Sequence, residues 1–142
     1  MNAGPKELAF SGRLVMVGFG CIGRGVLPLL FRHIDVSPSQ IVVLHTSNAG
    51  ADVARHFGVR HLIEPLAADN FSRVLEPLLG PGDFLRNLSV NVSSAALIAF
   101  CQARGALYLD TCIEPWEGGY DDPTTEVAEI GRAHGLNSSH RL

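Results

Sequence analysis

Gly18, Gly20 and Gly23 fall in the string Gly18-Phe19-Gly20-Cys21-Ile22-Gly23, a spacing that brings bare backbone against two linked phosphates. In that chemistry the first glycine permits a tight turn and the second lets the chain approach the pyrophosphate. The third lets a helix pack close to the preceding strand. Cys21 and Ile22 lie within the same turn and complete the candidate phosphate contact. Cys21 reads as a small residue packed under phosphates rather than as a reactive thiol, although thiols at helix starts can be acidified. His45, Thr46 and Ser47 follow an apolar run at the place where an acidic residue ordinarily holds the adenosine ribose. That acid is absent, and no arginine follows directly to receive a 2′-phosphate, so local chemistry leaves NAD and NADP both open. Asn87, Ser89, Asp110 and Thr111 end two further apolar runs and are expected on the cofactor side of the same crevice. Carboxylates and an indole both attract cations, so Asp110, Glu114, Trp116 and Glu117 together would suit an amine. The plainer alternative is local capping by Asp110 and a solvated Glu117.

These residues need a frame that turns from strand to helix at each of them. Leu14–Val17 is an unbroken apolar run, as in a strand covered on both faces, and Ile22, Val26, Leu29 and Leu30 then recur at helical spacing. The helix is expected over Ile22–His33, with a kink near Arg24–Pro28 because Pro28 lacks a backbone donor. Further strands are expected at Ile41–Leu44, Val59–Ile63, Phe84–Leu88 and Ala106–Thr111. Helices are expected at Ala51–Phe57, closed by Gly58, at Asn70–Leu79 with Asp69 as cap, and at Ala95–Arg104, ending at Gly105. The alternation predicts an α/β fold, a Rossmann-type open parallel sheet of order 3-2-1-4-5 with helices on both faces. Ligands of such sheets bind at the carboxyl ends of the strands, where the order reverses. Arg86 disagrees with the pattern, standing in the middle of a central strand.

The chain has 142 residues, 46% hydrophobic and 18% charged, enough for one folded domain with a core. A net charge of −3 without a basic block argues against a nucleic-acid partner. No apolar run approaches the ~20 residues of a membrane span, and residues 1–12 read as a loose lead-in rather than a signal peptide. Cys21, Cys101 and Cys112 fit no zinc spacing, so no metal is expected and a cytoplasmic setting is the simplest reading. His33, His56 and His61 read as surface residues. No Ser/His/Asp or Cys/His set supports nucleophilic catalysis, and no catalytic residue is assigned.

The blocks Val15–Gly25, Leu27-Pro28-Leu29, Asn87–Val90, Ser93-Ser94, Gly105–Thr111 and Glu114-Pro115-Trp116 resemble the start of the bacterial homospermidine synthase family, within the wider saccharopine dehydrogenase-like group. The resemblance covers about residues 12–126, and the last two blocks are its most specific part. It implies an NAD-dependent enzyme joining two putrescines with loss of ammonia, by hydride transfer to the cofactor and return. Glu114 matches the family's acid near the substrate entrance, with Trp116 and Asn91 beside it as substrate-side candidates. The family commonly carries acids at His45 and Asn91 and an apolar residue at Arg86. Family members run to well over three times this length, so the chain reads as a nucleotide-binding fragment, residues 13–128, inactive alone. Residues 129–142 do not resemble the family and read as a non-native, adapter-derived tail. A different oxidoreductase of the group, or a stand-alone NAD(P)-sensing module, are the alternatives. A homo-oligomer is expected if the missing part leaves apolar surface bare.

Overall fold

Leu14–Val17 is buried at all four positions, which demands cover above and below and a central place in a sheet. The computed structural model describes residues 4–120. Its strands are β1 (Leu8–Ala9), β2 (Leu14–Val17), β3 (Ile34–Asp35), β4 (Ile41–His45), β5 (Arg60–Ile63), β6 (Phe84–Asn87) and β7 (Leu107–Asp110). Its helices are α1 (Cys21–His33), α2 (Ala51–His56), α3 (Phe71–Leu75) and α4 (Ser94–Arg104). The main sheet has the order β5-β4-β2-β6-β7 and every pairing in it is parallel. Counted over those five strands alone, this is the expected 3-2-1-4-5; the labels shift because the short β1 and β3 enter the count. The chain steps outward from β2 to β5, then returns to β6 on the other side of β2, so the strand ends diverge there.

Side chains alternate across the sheet and divide the core in two. Leu14, Met16, Ile41 and Val43 meet Leu27 of α1 and Ala54 of α2 on one face. Val15, Val17, Leu44 and Leu85 meet Leu75 of α3 and Leu97 and Cys101 of α4 on the other. Cys101 is sealed enough that burial pushes its thiol up to about 12.

Several expectations change in detail. The lead-in is not loose throughout, because Leu8 pairs with Ile34 as β1 joins β3. Helix α1 stays helical through Pro28, but its buried residues are Gly23 and Leu27, while Ile22 is 59% and Leu29 52% exposed. Asp69 does not cap α3; Asn70 precedes it, accepting from the Ala67 N–H (2.8 Å) and donating to the Pro65 carbonyl (2.9 Å). That helix is only five residues long, and Pro77, which has no N–H to continue it, follows two residues after its end. Ser93 caps α4, its Oγ accepting from the Ala96 N–H at 3.2 Å. Gly58 and Gly105 close α2 and α4 in the left-handed conformation expected of them.

At the amino end of the sheet Arg13 and Asp83 clasp β2 to β6. The Asp83 carboxylate accepts from the Arg13 N–H (2.7 Å), the Arg13 Nε (2.9 Å) and the Gly80 N–H (2.8 Å). Arg86 lies in register between Met16 and Leu109, half-buried, with its Nε buried and without a partner among the described residues. Burial lowers its pKa. Nothing in the structure explains an arginine there. The tail expected over 129–142 lies outside the described residues.

Candidate functional site

The turn from β2 into α1 holds the glycines for three separate reasons. Gly18 has φ +88°, and a Cβ on it would stand 2.8 Å from the Leu88 carbonyl and the Ser89 nitrogen. Gly23 is pressed between helix and strand, its Cβ position 3.0 Å from the Gly18 oxygen and 3.1 Å from the Phe19 ring. Gly20 is different: φ is −77°, and a Cβ there would meet no protein atom within 4 Å. Internal packing does not require glycine at that position, and the space above it is free for a ligand.

That space belongs to a cleft of about 740 Å³ over the carboxyl ends of β2, β4 and β6. The start of α1 points its first amides there. No side chain caps the helix and no acid sits in its first turn, so an anion is the natural partner for those N–H groups. The open space over Gly20 and the uncapped start of α1 therefore fit an anionic group such as the pyrophosphate of a dinucleotide.

The cleft has two unlike ends. At the β4 end, His45 Nδ1 accepts from the Phe19 N–H at 3.0 Å, which leaves the proton of a neutral ring on Nε2 as a donor. Burial lowers the His45 pKa, and His61 and Arg24 lower it further. His61 is not the surface residue expected. Its ring lies 6.3 Å from that of His45 and 6.0 Å from Phe19, and its buried Nε2 has no partner among the described residues. At the other end Trp116 packs on Phe71 at 5.4 Å and lines the cleft with Glu117. Glu114 accepts from the Asn91 N–H at 3.5 Å and from the Tyr120 hydroxyl at 3.4 Å. Its N–H donates to Ser94 Oγ at 3.0 Å, which ties the loop to the start of α4. Cys112 is raised by burial and then by Glu114 and Asp110, and Tyr120 by burial and then by Glu114, so this corner carries a negative field.

Of the residues singled out by sequence, Gly18, Gly20, His45, Thr46, Ser89, Asn91 and Trp116 line the cleft. Cys21, Ile22 and Thr111 are exposed and do not form its wall. Ser47 accepts from the Ala49 N–H at 3.2 Å and shapes the loop after β4. Asn87, 2% exposed, is spent internally: it donates to the Tyr108 hydroxyl at 3.2 Å and accepts from Ser89 Oγ at 2.5 Å. Asp110 accepts from the same tyrosine hydroxyl at 3.1 Å. These two thus support the β6 and β7 ends rather than form the cleft surface. Sequence reasoning missed the wall Glu64–Ala68. Arg24 lies outside that wall, its Nε donating to the Gly20 carbonyl one helical turn back at 3.3 Å. No cluster of three or more metal-ligating side chains occurs among the described residues, and no helix among them is long and apolar enough to cross a membrane.

Comparison with known proteins agrees with this geometry. The family described as saccharopine dehydrogenase NADP binding domain matches residues 14–135. A homospermidine synthase of Blastochloris viridis is 45% identical over 126 residues, 87% of this chain and 26% of that protein. One from Mesorhizobium japonicum is 38% identical over 127 residues, with the same coverage of 87% and 26%. The crystal structure of a homospermidine synthase from Legionella pneumophila in complex with NAD superimposes with a TM-score of 0.81. It is 33% identical, and the match covers 92% of this chain and 28% of that one. The chain spans about a quarter of the length of the curated relatives it matches.

Proposed function

The chain belongs to the saccharopine dehydrogenase NADP-binding domain family, and from that premise we propose that it is the nucleotide-binding portion of a homospermidine synthase. The observation that carries the reading is the open space over Gly20 at an uncapped helix start, in a chain 45% identical to such an enzyme. A nicotinamide dinucleotide, NAD by likeness to the relatives, would lie with its pyrophosphate there and its adenosine toward His45. Its nicotinamide end would then reach toward β6 and β7. When bound, the dinucleotide accepts a hydride from an amine carbon and later gives it back.

Around it the residues divide the work. Gly20 and the first amides of α1 hold the phosphates. His45 Nε2 donates toward the ribose. Glu114, behind Asn91, supplies the negative field that draws a diammonium substrate, and Trp116 offers an aromatic face to the same cation. In the full-length parent, one putrescine is oxidised to an imine, the second displaces ammonia, and returned hydride yields homospermidine. The groups that move protons in those steps are proposed to lie in the part of the parent beyond this chain.

The test is made on the parent and on this chain together. The parent given putrescine and NAD should release homospermidine and ammonia in equal amounts. The isolated chain should bind the dinucleotide and turn nothing over. Homospermidine formed by the isolated chain would overturn the claim of incompleteness, and a parent inert toward putrescine would overturn the substrate.

A further inference from the structure

Granted the dinucleotide reading above, we propose that His45 is a positioning residue: its Nδ1 fixes the phosphate-binding turn through the Phe19 N–H, so that a proton on that nitrogen and a dinucleotide in the cleft exclude one another. The turn is tied to β4 by two successive amides. The Gly18 N–H donates to the Leu44 carbonyl at 2.8 Å, and the Phe19 N–H donates to His45 Nδ1 at 3.0 Å. The bond from the Arg24 N–H to the Gly20 carbonyl at 3.0 Å already belongs to the start of α1. A side chain rather than the backbone ladder thus holds the turn at the residue before Gly20. Phe19 cannot swing away to another acceptor. Its ring is fully buried, and a Cβ on Gly23 or Gly50 would stand 3.1 or 2.8 Å from it.

A backbone N–H can only donate, so Nδ1 must be bare for this bond to exist. A carboxylate at the end of this strand would keep an acceptor down to about pH 4. An imidazole has one acceptor when neutral and none when charged, and it ordinarily charges at about pH 6.5. A proton on Nδ1 sets N–H against N–H, and turning the ring over offers a carbon instead. Either the turn or the ring must then move. His45 lines the cleft beside Gly18, Phe19 and Gly20, so the movement falls where the phosphates would rest. Those phosphates would attract an imidazolium, but across a solvated cleft where charge is screened, whereas the two N–H groups meet in contact. Burial, then His61 of β5 and Arg24 of α1, hold the ring below the usual histidine range. Glu64, which follows β5, is the acid on this side of the cleft. The bare form is therefore the one present at neutral pH.

Calorimetric titration of the chain with NAD⁺ from about pH 7.5 to about pH 5 tests this, with a melting curve at each pH to check the fold. Affinity is present above the ring's pKa and lost as pH falls through it, and should be at least about 3-fold weaker at the acid end. His45→Asn sets a carbonyl oxygen near the place of Nδ1 that does not titrate, and should lose this acid limb. His45→Gln carries its amide out to the place of Nε2, and should bind about 10-fold more weakly than His45→Asn at about pH 7.5, the worth of one hydrogen bond. A second measurement needs no variant: in an NMR titration of the His45 ring, saturating NAD⁺ should lower its pKa, because the linkage is reciprocal. A ring pKa raised or unmoved by NAD⁺ overturns the proposal. So does an acid limb that survives in His45→Asn, or a His45→Gln that binds as well as His45→Asn. In each of these cases NAD⁺ still binds and the dinucleotide site stands. If NAD⁺ fails to bind the unaltered, cooperatively melting chain at about pH 7.5, the reading beneath fails as well.

Discussion

At Gly18 and Gly23 a side chain would collide with the protein; at Gly20 it would collide only with a ligand. Gly18→Ala should therefore destabilise the chain by about 2 kcal/mol or more, from left-handed backbone and a Cβ 2.8 Å from the Leu88 carbonyl. Thermal or urea melting would check it, and an unchanged midpoint would contradict the packing described. The turn at Gly18 and the close packing at Gly23 were legible in sequence because each follows from position in the turn. His61 was not. Its meeting with His45 depends on β4 and β5 pairing with Val43 opposite His61, a register that one strand alone does not reveal. Asn87 was legible as a polar residue ending an apolar run, expected on the cofactor side, but not as internally spent, because its partner Tyr108 lies on a different strand.

Among the elements, strands and helices were legible to within a residue or two wherever an apolar run met a glycine or a cap. Helix α3 was not, because the apolar pattern continues to Leu79 while Pro77 removes the donor needed to extend it. The β1–β3 pair escaped notice because two-residue strands carry no periodicity. Ser93 caps the 11-residue α4, so Ser93→Ala should cost about 1 kcal/mol in a urea melt, with Ser93→Asp recovering most of it. The Arg13–Asp83 clasp gives a pH dependence. Burial alone would raise the Asp83 carboxyl, but the Arg13 and Gly80 amides and the Arg13 guanidinium bring it below its usual value. A carboxyl held lower in the folded chain than in the unfolded one binds its proton later on folding. Its stability is present above about pH 4 and is lost as pH falls through the folded value. Asp83→Asn should flatten that acid limb of the melting-temperature profile, and an unaltered limb would assign the loss to other carboxyls.

For the whole molecule, the sheet order and the place of the cleft followed from one alternating pattern of strands and helices. What a single domain cannot display is the surface that a longer parent would cover. Leu107 on the edge strand β7 is 52% exposed, and we propose that this edge drives self-association of the isolated chain. Sizing chromatography at rising concentration should show growth that Leu107→Lys reduces; a monomer at all concentrations would contradict it.

The central claim is that the open space over Gly20 is where the linked phosphates of a nicotinamide dinucleotide rest. Its most direct measurement is calorimetric titration of the dinucleotide onto the unaltered chain and onto Gly20→Val, with melting temperatures taken in parallel. The account predicts an affinity at least about 10-fold weaker in the variant, the size of one lost backbone-phosphate contact, at an unshifted melting temperature. Equal affinity in the two proteins would contradict it.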